Sequence, residues 1–254
     1  MCETVPKVRS QRSEVRSQKS EENGFGQFER DGFQIIESLA EFDECDLFAT
    51  ELTPLFAQQQ NLSGSKIGGV RSLLHTNLSV STFANSSKII SFLAKFVGLN
   101  LFPVRAIFFD KNPESNWLVP WHQDLTIAVA EKIEVPGFSG WSVKDGILHV
   151  HPPREILEGM FTLRLHLDDC DANNGALKVI PGSHLRGKLG ATEISELVKS
   201  NGAVVCEVRK GGALLMRPLL LHASSPAKNP SHRRILHIEY ATHKLPNGLK
   251  WFER

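Results

Sequence analysis

The sequence has little cysteine, and what it has is scattered. Cys2, Cys45, Cys170 and Cys206 form no CxxC pair, so neither a disulfide framework nor a thiolate zinc site is expected, and a reducing compartment fits. A surplus of charge is also missing. Against 28 acidic residues stand 29 Lys and Arg, a formal net charge of +1, too little to draw the chain to nucleic acid or an anionic membrane. There is no apolar run of the length that spans a bilayer, and Met1-Cys2-Glu3-Thr4 leads into Arg, Ser, Gln and Glu without an apolar signal region. These absences lead us to expect a soluble, cytoplasmic protein that handles a small molecule and binds neither nucleic acid nor membrane. They leave the oligomeric state open.

What is present is an ordinary globular composition, 41% hydrophobic over 254 residues, enough for one well-buried core. Residues 1–23 are polar and contain the tetrapeptide Val-Arg-Ser-Gln twice, at 8–11 and 15–18. They read as a disordered tail, with a single domain over 24–254. A turn at Asp31-Gly32 feeds a short strand through Ile36. The spacing of Phe42, Leu47, Leu52 and Phe56 predicts a helix over 40–58, and that of Ile89, Ile90, Leu93 and Phe96 a second over 86–97. From Leu101 onward, short Val-, Ile-, Phe- and Leu-rich runs alternate with breakers such as Asn173-Asn174-Gly175 and Pro181-Gly182-Ser183. Strands are expected at 104–109, 120–129, 160–167, 176–180, 203–208, 213–216, 219–223 and 235–241. Helices followed by many strands imply a mainly β sandwich with N-terminal helices on its outside.

Within Trp121-His122-Gln123-Asp124, an imidazole and a carboxylate stand two residues apart, a spacing that places them on one face of a strand. His222, at the end of Leu219-Leu220-Leu221, is the natural third ligand. Two histidines and one carboxylate on one side of a metal leave other positions open, which suits iron(II). By spacing alone His122 could equally pack or cap a strand. His149 and His151 form a rival pair without a carboxylate partner, while His184, His232 and His243 sit among loop residues and are expected in solvent. Arg233 and Arg234 open the apolar strand Ile235-Leu236-His237-Ile238. Alternation sends one inward, where a guanidinium suits a bidentate pair with a carboxylate. On 160–167, Thr162, Arg164 and His166 share one face and Phe161, Leu163, Leu165 and Leu167 the other. If the leucine face packs into the sandwich, Arg164 is outside, satisfied by Asp168 or Asp169.

The segments WHQDLTIAV (121–129), RLHLDDCDANNGALKVIPGSHLRG (164–187), GGALLMRPLLLHASSPA (211–227) and RRILHIEYA (233–241) together resemble the phytanoyl-CoA dioxygenase (PhyH) family of iron(II)- and 2-oxoglutarate-dependent oxygenases. The resemblance runs from about Phe25 almost to the C-terminus. It implies a double-stranded β-helix, a jelly-roll or cupin-like barrel with flanking helices. It also implies a hydroxylase that uses Fe(II), 2-oxoglutarate and O2, with ascorbate as an accessory reductant, and releases succinate and CO2. His122, Asp124 and His222 match the iron triad, catalytic and metal-binding at once. Arg233 matches the arginine that pairs with the far carboxylate of 2-oxoglutarate, with Arg234 as the fallback, and Ser224 matches the hydroxyl that binds the same group. Gln123 points away from the metal. The family's pattern places Arg164 toward the cavity, where it would favour a polar or anionic substrate or support 2-oxoglutarate itself. The insert 131–158 is expected over the barrel mouth, with Trp141 and Lys144 as substrate-selecting candidates. The carboxylate at Asp124 argues for hydroxylation over halogenation. The competing readings are a zinc or manganese hydrolase and a non-catalytic 2-oxoglutarate- or metal-binding jelly-roll module.

Overall fold

The computed structural model describes residues 26–63, 68–98 and 100–254; the repeated tetrapeptide and the tail expected over 1–23 lie outside them. Its strands are β1 (Phe33–Ile36), β2 (Phe102–Lys111), β3 (Val119–His122), β4 (Ile127–Val129), β5 (Ser139–Lys144) and β6 (Ile147–His151). They continue with β7 (Met160–His166), β8 (Leu177–Val179), β9 (Val204–Cys206), β10 (Ala213–Met216), β11 (His222–Ser224) and β12 (Arg233–Ala241). A five-stranded sheet runs β1-β10-β7-β12-β2, a four-stranded sheet β3-β11-β8-β9, and a three-stranded sheet β4-β6-β5. The pairings are antiparallel. Phe33, Leu214 and Met216 of the first sheet pack with Leu177 and Val179 of the second and with Leu220 in the turn before β11. The two sheets are the walls of a double-stranded β-helix, as the resemblance implies.

Period-two alternation decides what each wall presents. On β2, β7 and β12 the residues Ala106, Phe108, Leu163, Leu165, Leu236, Ile238 and Tyr240 face outward and bury against the N-terminal helices, where Phe48, Leu52, Phe56, Ile89 and Leu93 meet them. Each of these large side chains gains about 1.5–3 kcal/mol by leaving water. The leucine face of β7 therefore packs on the helices, and the face carrying Thr162, Arg164 and His166 turns into the barrel. That reverses the arrangement in which Arg164 would be solvated.

Helix α1 (Phe42–Ser63) extends beyond the expected span, and its buried stripe is Cys45, Phe48, Ala49, Leu52 and Phe56. Phe42 and Leu47, counted in the sequence as part of that stripe, are exposed: Leu47 lies off the stripe at 45, 48, 49, 52 and 56, and Phe42 is the first residue of the helix. The short helices α2 (Leu73–Thr76) and α3 (Leu78–Asn85) were not expected, while α4 (Ser87–Val97) was. Ser86 caps α4 by accepting from the Ile89 N–H, one of the orphan amides of a helix start. The expected strand 120–129 is two strands, interrupted at 123–126. The expected strand 219–223 is also displaced: Leu219–Leu221 lie in a turn, and His222 opens β11 instead of closing a strand. Near the C-terminus, Glu253 accepts from the amides of Leu74 (2.7 Å) and Ala106 (3.1 Å), tying α2 to β2.

Candidate metal centre

His122 ends β3 and His222 begins β11, and the two are direct partners in the antiparallel register. Their rings lie 4.2 Å apart, centroid to centroid. Asp124 is not on the strand with His122, as the i, i+2 argument expected. It sits in the loop just past β3, held there by its N–H donating to the Pro218 carbonyl at 2.9 Å. Its carboxylate oxygens stand 3.7 Å from His122 Nε2 and 3.8 Å from His222 Nε2. One donor atom from each of the three residues falls within 4.8 Å of the others, the one such His/Cys/Asp/Glu cluster among the described residues.

Both imidazoles are oriented by the same device. His122 Nδ1 donates to the Pro120 carbonyl and His222 Nδ1 to the Leu220 carbonyl, each at 2.8 Å. With Nδ1 carrying the proton, each Nε2 turns its lone pair toward Asp124, as a metal ligand must. Burial pushes the His222 imidazole below its ordinary range, against the pull of Asp124. Burial alone would raise the Asp124 carboxyl, but the charges of His222, His237, His122 and Arg105 outweigh it and hold the group low. The cluster offers two imidazole Nε2 atoms and one carboxylate. Gln123 points the other way, as expected. Buried, it donates from Nε2 to the carbonyls of Gly187 (2.7 Å) and Leu219 (2.6 Å) and accepts from the Leu189 amide at 2.8 Å.

Two chambers meet at this cluster. The inner one, about 190 Å³, is lined by His222, Ser224, Arg233, Arg164, Trp117 and Phe109, among others. Arg233 is the inward arginine. Buried, it donates to the Gly175 carbonyl at 2.8 Å, and its Nε has no partner. Arg234 turns outward into a two-pronged pair with Asp168, at 2.6 and 2.8 Å. Lys111, which sequence reasoning did not single out, lies directly opposite Arg233 in the β2–β12 register. Its ammonium is buried and donates to Ser224 Oγ at 2.7 Å and to the Ser225 carbonyl at 2.8 Å. Burial, with the Arg233 charge adding to it, pushes this lysine down to about 7. The available signal was weak: the strand expected over 104–109 stops two residues short of Lys111, whereas β2 runs on to include it. Gly175 completes this end. It has φ +81°, and a Cβ there would meet the Ser225 carbonyl at 2.6 Å, so only glycine lets the chain pass.

Arg164 faces the same chamber and donates to His237 Nδ1 at 2.8 Å, not to Asp168 or Asp169. His237 in turn donates from Nε2 to Glu239 at 3.4 Å, and Glu239 accepts from Arg105 at 3.1 Å. This buried chain leads into the outer chamber, about 430 Å³, which also opens on His122 and Asp124. The insert contributes β5 and β6 here, with Lys144 and His151 on the lining. Trp141 does not reach the lining; it packs on the core around Ile127, Val129 and Trp251. The rival pair does not converge on a site: His149 is buried with Nδ1 on the Ile147 carbonyl. His184, expected in solvent, is buried against Gly32. His232 is half-exposed beside Asp110, and His243 is half-buried against Gly159.

Among solved structures, the chain is similar to EctD from S. alaskensis with bound Fe (TM-score 0.66, 18% identity, covering 87% of this chain and 76% of that one). It is also similar to the non-heme alpha ketoglutarate dependent carbocyclase SnoK from nogalamycin biosynthesis (0.65, 14%, 87% and 84%). The epimerase SnoN in complex with Fe3+, alpha ketoglutarate and nogalamycin RO is similar as well (0.64, 14%, 88% and 84%). At these identities the likeness establishes the fold. A curated relative, the peroxisomal phytanoyl-CoA dioxygenase of Bos taurus, is 24% identical over 173 residues; the match takes in 61% of this chain and 43% of the relative, less than half its length. The family model for phytanoyl-CoA dioxygenase (PhyH) matches residues 28–235, and the chain belongs to that family.

Proposed function

We propose that this chain is an iron(II)- and 2-oxoglutarate-dependent dioxygenase that hydroxylates a small molecule and releases succinate and CO2. The observation that carries this reading is the pairing of two neighbouring features. One is a cluster of two Nε2 atoms and a carboxylate with open space on one side. The other is a buried cationic end, where Arg233 and Lys111 stand directly opposite each other and their hydrogen-bond partners are neutral. Like charges placed opposite on a sheet repel, and burying them is costly without a counter-charge. A dianion with a carboxylate at one end and a chelating keto acid at the other satisfies both features.

The donor set fits iron: nitrogen and carboxylate ligands on one face, the rest free. His122, Asp124 and His222 would hold the metal, while Arg233, Ser224 and Lys111 would hold the far carboxylate. When bound, iron with 2-oxoglutarate and O2 supplies the oxidising chemistry. The chain orients the imidazoles through Pro120 and Leu220 and positions Asp124 through Gln123 and Pro218. Arg234, engaged by Asp168, has no part in the clamp.

Anaerobic calorimetry tests this. Iron(II)-loaded protein should bind 2-oxoglutarate and develop a weak visible charge-transfer band, lost in His222→Ala and requiring far more 2-oxoglutarate in Arg233→Ala. Absence of both heat and band in the wild type would leave a non-catalytic module as the better description. Since solved relatives include an epimerase and a carbocyclase, products are best scored by mass. One added oxygen supports hydroxylation; unchanged mass or loss of hydrogen points elsewhere.

A further inference from the structure

The outer chamber has a lining that metal and keto-acid binding do not require. Arg71 and Arg105 border it, β5 and β6 supply Lys144 and His151, and β12 supplies His237 and Glu239. Apolar side chains are few: Ile107, Phe109 and Leu125. Each carboxylate on or beside the chamber already has a task. Glu239 accepts from Arg105 and His237, Asp145 pairs with Arg71 at 2.6 Å, and Asp124 belongs to the metal cluster.

After these assignments the chamber keeps one cation without an acidic partner. Lys144 has only a 3.4 Å contact with Thr126 Oγ1. Arg105 lines the same chamber and is held by Glu239 through Nη1 alone. Partial burial lowers the Lys144 ammonium, and the charges of Arg105 and Arg71 lower it further, against the opposing pull of Asp124 and Glu239.

We propose that the substrate is a compact anion, a carboxylate or phosphate, whose charged group sits against Lys144 and Arg105 beside the metal cluster. This rests on the oxygenase reading for the placement of the reacting carbon. The volume, about 430 Å³, lies near the small end of ligand pockets, roughly 300–1,000 Å³. A long acyl chain gains affinity as its methylenes leave water; here they would lie against guanidinium, ammonium and imidazole groups, and the cost of stripping water from those groups would oppose binding.

The test uses the full chain loaded with iron(II) under argon and saturated with 2-oxoglutarate, which fills the inner chamber. Calorimetric titrations then compare hexanoate, inorganic phosphate, the neutral amide hexanamide, and hexadecanoyl-CoA. Hexanoate or phosphate should bind at least about tenfold more tightly than hexanamide, the scale of one charge-assisted hydrogen bond. Lys144→Met should remove that preference and leave hexanamide unchanged, while Lys144→Arg retains it. Lys144 is exposed, so its replacement leaves the core intact. Which anion binds distinguishes carboxylate from phosphate. The proposal is overturned if neither anion outcompetes the amide, if Lys144→Met binds them as the wild type does, or if hexadecanoyl-CoA binds more tightly than either. The heat of 2-oxoglutarate binding is recorded first. Its absence would sink the oxygenase reading separately, and the Lys144 dependence of anion binding would still be measurable.

Discussion

At the scale of single residues, Lys111 carries the most testable consequence. A lysine with no carboxylate partner, opposite an arginine, is costly unless an anion arrives. Lys111→Met should weaken 2-oxoglutarate by about 10- to 100-fold, with iron affinity unchanged. The same variant should bind 2-oxopentanoate, which lacks the far carboxylate, as the wild type does; an equal loss for both keto acids would mean a merely structural role. Because the ammonium sits at about 7, wild-type affinity for 2-oxoglutarate should fall as pH rises through that value, and Lys111→Met should flatten the profile. His149 sets a stability limit on the acid side. Burial lowers it to about 4 from an ordinary 6.5, so between these values the unfolded chain takes up the proton first. Its contribution is complete above pH 6.5 and is lost as pH falls toward 4, by up to about 3 kcal/mol. Urea unfolding at pH 7 and pH 4.5 should show a smaller acid loss in His149→Gln than in the wild type.

At the scale of elements, the gap between β3 and β4 is what places Asp124. A continuous strand would have carried the chain past the cluster. Instead Gln123, bonded to the backbone of Gly187, Leu189 and Leu219, pins the loop to the turn that precedes β11. Gln123→Ala removes three hydrogen bonds without touching a donor atom of the cluster. By analogy with other groups that orient metal ligands, it should weaken iron binding by about 10- to 100-fold, measurable by competition with a chelator. Unchanged affinity would show that the Asp124–Pro218 bond alone suffices. The HxD pair was legible in the sequence, but the i, i+2 strand argument for its convergence was not correct: the carboxylate arrives by way of a loop. The strand expected over 219–223 failed for a related reason. Hydrophobicity marks burial, and Leu219, Leu220 and Leu221 are buried in a turn as fully as they would be in a strand.

At the scale of the whole molecule, metal and keto acid should stabilise the fold through linkage, since their binding groups come from β2, β3, β11, β12 and the loop after β3 and are dispersed on unfolding. At a 2-oxoglutarate concentration 100 times its Kd, the iron-loaded protein should gain about 2.7 kcal/mol. Chelation of the iron, or Arg233→Ala, should abolish most of that gain in a thermal melt. A melt that 2-oxoglutarate leaves unmoved would count against the clamp. No helix among the described residues is long and apolar enough to cross a membrane, in keeping with the short apolar runs of the sequence.

Local pattern alone was enough to define the strand-rich region and two of the N-terminal helices, because each depends on periods of two or 3.6 residues within one segment; it marked His122 and Asp124 as a candidate pair and sent one of Arg233 and Arg234 inward without saying which. It also carried the family's motifs, whose spacing is preserved along the chain. Periodicity could not say which face of β2, β7 and β12 looks inward, since both faces are largely buried and the outer one is covered by helices distant in sequence. That single tertiary choice turned Arg105, Arg164, Arg233, His237 and Glu239 into the lining of one interior and set Lys111 behind it on Ser224. It brought His222 opposite His122 across a register that spans about a hundred residues, and it withdrew Trp141 to the core while leaving Lys144 at the chamber. Charge lines a cavity only once strands far apart in sequence are paired, and that pairing is a property of the packed barrel.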